Sequence, residues 1–229
     1  MKYNVPPLRD FNFSKSRDDG DFLAPYTNRP ISKFFSWFFA HFTLCAECVA
    51  LLTPIIDILT IALIYNGYWI WAAVFVELSL IMDSADGELA RFRATLVKRT
   101  DKQNQFGKYM DSMAGVIIFP LVIFSAGYFM GDLLLGLLTM LSFCLLNLST
   151  ANAGWYFEDK ENKSKQIQKS GFIGKLKSRF GVRGVVGFTG DIQKHVIALA
   201  LLFQTVIFLW VFFIVSMILV IIKFWAYRK

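Results

Sequence analysis

From residue 44 onward the chain is a succession of long apolar runs cut by short polar signals, and that pattern leaves few folds open. A helix needs about 20 apolar residues to cross the ~30 Å hydrocarbon core of a bilayer. Such runs fall at 44–65, 68–82, 109–130 and 133–153, with Asn66-Gly67 and Gly131-Asp132 as tight turns between neighbours. After a long polar segment, residues 192–226 are apolar again. As one straight helix they would measure about 50 Å, so two helices breaking near Gln204-Thr205 fit better. The run at 68–82 is short for a span, and its helix is expected to continue through residue 93. The 24 Phe, 8 Tyr and 6 Trp gather near these boundaries, as interfacial aromatic belts do. The expectation is an all-α, polytopic membrane protein with six transmembrane helices and an N-terminal interfacial helix.

Residues 1–43 read as an arm and 44–229 as the six-span domain. Within the arm, ISKFFSWFFAHF (31–42) is dense in aromatics, with Lys33 and His41 on its polar side and Pro30 placed to open a helix. Such a segment is expected to lie in the interface plane. No cleavable signal peptide is expected, because the first forty residues lack a clean apolar core behind a basic start. Residues 158–180 read as a charged loop, with a short amphipathic helix at 173–180.

Acids then appear where a membrane should exclude them. Asp83, Asp86 and Asp111 stand at the edges of two apolar segments, and a carboxylate there marks a functional site by default. On a helix Asp83, Asp86, Gly87 and Ala90 share one face, with Arg91 just beyond. Hard divalent cations take oxygen ligands and share carboxylates with substrate phosphates. Residues with almost no side chain let a flat ligand approach the backbone. The plainer reading, helix-end aspartates solvated by headgroup water, leaves this register of acids, small residues and Arg unexplained.

The pattern resembles the signature of the CDP-alcohol phosphatidyltransferase family, D-x2-D-G-x2-A-R followed after a gap by G-x3-D-x3-D. The first half is complete in Asp83, Asp86, Gly87, Ala90 and Arg91, and the second supplies Gly107 and Asp111. Two departures stand out. The gap, residues 92–106, is about twice the family's usual length, and the fourth aspartate is replaced by Gly115. The resemblance implies transfer of a substituted phosphate from a CDP-linked donor, CDP-diacylglycerol or a CDP-polyol, to an acceptor hydroxyl with release of CMP. It implies Mg²⁺ or Mn²⁺ on Asp83, Asp86 and Asp111, and a cytidine pocket lined by Gly87, Ala90 and Gly107, with Arg91 near the diphosphate. Arg183, Lys194 and His195 fall where relatives hold an acceptor phosphate, although charge at a membrane boundary explains them equally well. The arm around Asp19-Gly20 and residues 28–32 is similar to that of members handling inositol-phosphate lipids. A homodimer is allowed by the resemblance, with no interface derivable.

Gly115 can neither bind metal nor take a proton. Glu47, Glu77 and Glu88 are the candidate substitutes, with hydrogen-bonded structural acids as the plainer reading of Glu47 and Glu77. A metal-bound acceptor needing no protein base is another solution. A non-catalytic CDP-alcohol or lipid-binding membrane protein is the alternative of a different class. A transporter has less support, since the acids cluster at one face with no paired broken helices at the midplane. Asp57, deep in the first span, is expected to pair within the bundle.

All Lys and Arg fall before residue 44, in 91–108, in 160–194, or at the C-terminus. By the positive-inside rule both termini and the acidic motif face the cytoplasm, from an inner or plasma membrane. The net charge of +7 therefore reads as topology and attraction to anionic lipid, and no nucleic-acid-binding module is present. Cys45-x-x-Cys48 has redox-motif spacing without the surrounding strand pattern, so Cys45, Cys48 and Cys144 are expected to be inert thiols. The histidines, His41 and His195, lack zinc-ligand spacing.

Overall fold

The computed structural model describes residues 5–13, 27–42, 45–96, 101–158 and 190–228. Among them every regular element is a helix: α1 (Asn28–His41), α2 (Ala46–Ala50), α3 (Leu52–Tyr65), α4 (Trp69–Leu96), α5 (Asp101–Met113), a π-helical turn (Ala114–Ile118), α6 (Phe119–Phe129), α7 (Leu133–Glu158), α8 (Gly190–Phe203) and α9 (Val206–Arg228). With α2 running into α3, and α5 into α6 through the π turn, these make six rods behind the arm. The loop at 159–189 and its expected short helix lie outside the described residues, as do Asp19 and Gly20.

The punctuation falls where the turn chemistry demands. Asn66 closes α3 by donating its Nδ2 to the Ala62 carbonyl at 2.7 Å, and Gly67 takes φ +75°, a left-handed conformation that glycine adopts without steric cost. Asp132 caps α7 through its carboxylate, which accepts from the Leu135 N–H at 2.9 Å. The long apolar segment divides as expected, with Gln204 at φ 49° between α8 and α9.

The interior of the bundle is apolar: Val76 and Leu80 of α4 pack with Phe119, Val122 and Ile123, with Leu135 and Phe143 of α7, and with Ile197, Leu201 and Phe212 of α8 and α9. The outward faces are apolar too, among them Ile55, Ile58, Trp71, Leu134, Leu141, Ile207 and Ile218. A belt of exposed large apolar side chains this wide suits lipid and would be a liability in water. Among the described residues one helical stretch, Ala46–Tyr65, is both long and apolar enough to cross a bilayer, and the other apolar helices are shorter. α6 and α7 touch at their glycines, where a Cβ on Gly127 would lie 2.3 Å from the Gly136 Cα. Small residues at such a crossing let two backbones meet.

α1 forms where expected, but its faces divide differently. Asn28, Ser32, Ser36 and Ala40, spaced four apart, are buried against α4, while Ile31, Phe34, Phe38 and Phe42 are exposed. The small polar stripe points inward and the aromatic stripe outward. Lys33, expected on the polar side, makes an exposed hydrogen bond to the Arg9 carbonyl of the arm at 3.2 Å.

Candidate functional site

α4 continues unbroken past its apolar half to Leu96, so Asp83, Asp86, Gly87 and Ala90 share a stripe. The next face carries Ala85, Leu89 and Phe92, which pack with Ala46 and Val49 of α2, Ala40 of α1 and Phe11 of the arm. This anchors the helix from behind and leaves the acids on its side. Asp86 is buried at 9% exposure, and Asp83 is half-buried. Arg91 folds back over Gly87, where a Cβ would stand 3.3 Å from its Nη1. Its Nε donates to the Phe13 carbonyl, and Phe13 is fixed by edge contacts with Phe11 and Phe92 at 4.9 and 5.1 Å. The arm therefore aims the arginine.

Glu88, offered by the sequence as a candidate base, points away from the acid stripe toward α1. Its carboxylate accepts from Ser36 Oγ at 2.8 Å and Ser32 Oγ at 3.1 Å. Burial pushes its carboxyl above the ordinary range, against the opposing pull of those two hydroxyls. It braces α1 on α4. The serines at i and i+4 in an aromatic-rich helix were the available signal, and the sequence reading passed over them.

α5 carries Gly107 and Asp111, then opens into the π turn that contains Gly115. Pro120 explains the widening: it has no N–H for the carbonyl one turn earlier, so the helix relaxes before it. A Cβ at Gly107 or Gly115 would meet nothing within 4 Å. The Asp111 side chain lies outside those described. The long gap is taken up by helix, with α4 reaching Leu96 and α5 starting at Asp101, and residues 97–100 are outside the description.

A polar floor lies under the acids. Ser79, one turn before Asp83, accepts from Lys194 Nζ of α8 at 3.2 Å, and that buried ammonium also sits 5.3 Å from the Phe119 ring centre. Asp57 of α3 is fully buried with Lys194, Ser79 and Asp83 as its polar surroundings. Its expected partner in the bundle is thus the Lys194 charge, set near it without direct contact. His195 Nδ1 meets Glu77 Oε1 at 2.8 Å, and its Nε2 lies 3.4 Å from Thr27 Oγ1. Lys194 and His195, expected at an acceptor phosphate, both turn to α4, and Glu77 is engaged by the histidine. Arg183 lies outside the described residues. Glu47 is half-buried in the first turn of α2, and the flanking cysteines are not the free thiols expected: Cys45 and Cys48 are joined in a disulfide, while Cys144 is free.

Asp83 and Asp86, one turn apart on a partly buried face, supply the oxygen donors that Mg²⁺ or Mn²⁺ takes. Among the described side chains no third His, Cys, Asp or Glu completes a cluster with them. A comparison with curated proteins gives no match. The family model described as CDP-alcohol phosphatidyltransferase matches residues 43–225, a stretch that contains α2 through α8 and both halves of the acidic pattern. On that match over most of its length, the chain belongs to the CDP-alcohol phosphatidyltransferase family.

Proposed function

We propose that this chain transfers a substituted phosphate from a CDP-linked alcohol to an acceptor hydroxyl, releasing CMP, at the end of the bundle where α4 carries its acids. The family's activity is CDP-alcohol phosphotransfer in phospholipid synthesis. The observation that carries the reading is the stripe Asp83, Asp86, Gly87, Ala90 on one continuous helix, with Arg91 folded over it. Asp83 and Asp86, joined by Asp111, would hold the divalent ions. Those ions, when bound, neutralise the donor diphosphate and lower the pKa of a coordinated hydroxyl. Gly87 and Ala90 leave room for the cytosine, with Gly107 across from them, and Arg91 meets the phosphates. The acceptor oxygen bonds to the donor's β-phosphorus as the bond to CMP breaks and CMP leaves with the electron pair.

No side chain at 115 takes the acceptor's proton. Glu88 is engaged by α1 and Glu77 by His195, so a metal-coordinated acceptor hydroxyl that needs no protein base would fit the site best. Lys194 and His195, with Arg183, remain the proposed neighbours of an acceptor phosphate. The acid end faces the cytoplasm of a plasma or inner membrane in this reading. A second reading, a CDP-alcohol-binding protein without turnover, is favoured by Gly115 alone.

A CMP-release assay over several CDP-linked donors, in nanodiscs with Mg²⁺ or Mn²⁺, tests the proposal. Metal-dependent release with at least one donor–acceptor pair is expected. Nucleotide binding without release under any pair would favour the binding protein, and absence of both would overturn the site.

A further inference from the structure

We propose that Cys45 and Cys48 form a reversible dithiol–disulfide site at the edge of the acidic motif, with a dithiol as its exchange partner. The sulfurs are already bonded, and Cys48 is exposed and Cys45 half-exposed beside Glu47 at the very start of the first span, the headgroup end that a thiol from the aqueous side reaches. The Cys48 N–H points at Cys45 Sγ at 3.2 Å, an interaction that favours Cys45 as a thiolate when the bond opens. The surrounding basic residues put this end of the bundle on the cytoplasmic side, where a vicinal cysteine pair is kept reduced and serves redox chemistry more often than structure.

The position gives the pair something to control. Ala46 and Val49, on the buried face of the same short helix, pack with Ala85, next to Asp86, and with Leu89, three residues beyond it. α2 also packs against α5, whereas α4 and α5 have almost no direct contact among the described residues. The clip therefore lies in an element that, among the described residues, packs against both motif-bearing helices, and Glu47 stands between its cysteines.

In the exchange, a thiolate of the external dithiol attacks the Cys48 sulfur and Cys45 leaves as thiolate. The second thiol of the reductant then resolves the mixed disulfide. The reductant ends as a disulfide, and Cys45 and Cys48 end as two thiols, having gained two electrons and two protons.

The test uses the full chain in nanodiscs with Cys144→Ser, equilibrated in mixtures of oxidised and reduced dithiothreitol. Trapping with maleimide and weighing the intact protein should show two labels gained on reduction and lost again on reoxidation. Hydrogen exchange of the 83–91 and 105–111 amides should run at least threefold slower in the oxidised state. A Cys45→Ser/Cys48→Ser variant should show no such dependence. CMP affinity should be at least threefold tighter when oxidised, an expectation that rests on the function proposed above. A pair that does not cycle, or one that cycles with exchange unchanged, overturns the proposal. If CMP binds neither state, the nucleotide reading fails, and maleimide labelling with hydrogen exchange still decides the redox site.

Discussion

Among the described residues, the two halves of the acidic motif are packed differently. On α4, Arg91 is gripped by the Phe13 carbonyl, Glu88 by two serines, and Ala85 and Leu89 by three other segments. On α5 and the π turn, Gly107 and Gly115 face open space, and Tyr109, Val116 and Ile117 are exposed at 57–62%. A transferase acting on two substrates has use for that asymmetry. The donor needs fixed charge complementarity before reaction, because preorganised groups cost no reorganisation in the transition state. The acceptor must enter, react and leave as a lipid or polyol phosphate. Under the function proposed above, the braced half would be the donor side and the other half the acceptor side.

The largest expected effect comes from breaking the braced half at its acids. Asp86→Asn should abolish metal-dependent binding of a CDP-linked donor, and Asp83→Asn should do the same, since neither amide offers an anionic oxygen to a hard cation. Calorimetry with and without EDTA checks this. Unchanged affinity in both variants would take the metal out of the site.

Gly115→Asp probes the open half. Nothing stands within 4 Å of the new Cβ, so the substitution should be accommodated, and it places an acid one turn from Asp111. If a missing base limits the reaction, CMP release should rise on the order of 10²–10⁴-fold. If Glu47 or the metal already serves the acceptor, the gain should be small or negative. The sign of the change tells an impaired transferase from one that works by another route.

Lys194→Met tests the polar floor beneath Asp83. Ser79 would lose its buried donor, and Asp57 the field of a nearby cation that makes no ion pair with it, at about 1–3 kcal/mol. Thermal unfolding in nanodiscs should show the loss, and adding Asp57→Asn should recover much of it. A wild-type melting curve for Lys194→Met would mean that Asp57 is neutralised by something else.

The braced half was also the more legible one. Helical spacing alone placed Asp83, Asp86, Gly87 and Ala90 on one face, and Asn66-Gly67, Gly131-Asp132 and Gln204-Thr205 marked the breaks between rods. These are local signals, set by residues within one turn of each other. What escaped needed partners far along the chain: Ser32 and Ser36 on Glu88, Phe13 on Arg91, and Lys194 on Ser79 beneath Asp83. α1 was misassigned in its faces because a water-side amphipathic rule was applied to it. Beside a membrane the serines turn inward to a carboxylate, and the phenylalanines turn out. The Cys45–Cys48 bond was misjudged because the search was for a strand context, while a helix start brought the sulfurs together.

The smallest effect expected concerns the brace itself, and it separates a structural Glu88 from a catalytic one. Burial already disfavours the charged carboxylate, so Glu88→Gln keeps an oxygen acceptor for one serine and gives up little electrostatic energy. Glu88→Ala, in contrast, removes the carboxylate that ties α1 to α4 and turns the Ser32 and Ser36 hydroxyls to the Arg29, Ser32 and Ala85 carbonyls already within 3.2 Å, so the cost should fall at the low end of about 1–3 kcal/mol. Stability should follow the order wild type, Gln, Ala, with Gln near wild type. Donor binding should weaken only in the Ala variant, as α1 loosens from the helix that carries Asp86. A catalytic base would behave otherwise, since the amide cannot take a proton and Gln would lose turnover as fully as Ala. CMP release by Glu88→Gln within a few-fold of wild type would confirm the brace, and a loss on the order of 10²-fold or more at normal stability would return Glu88 to the reaction.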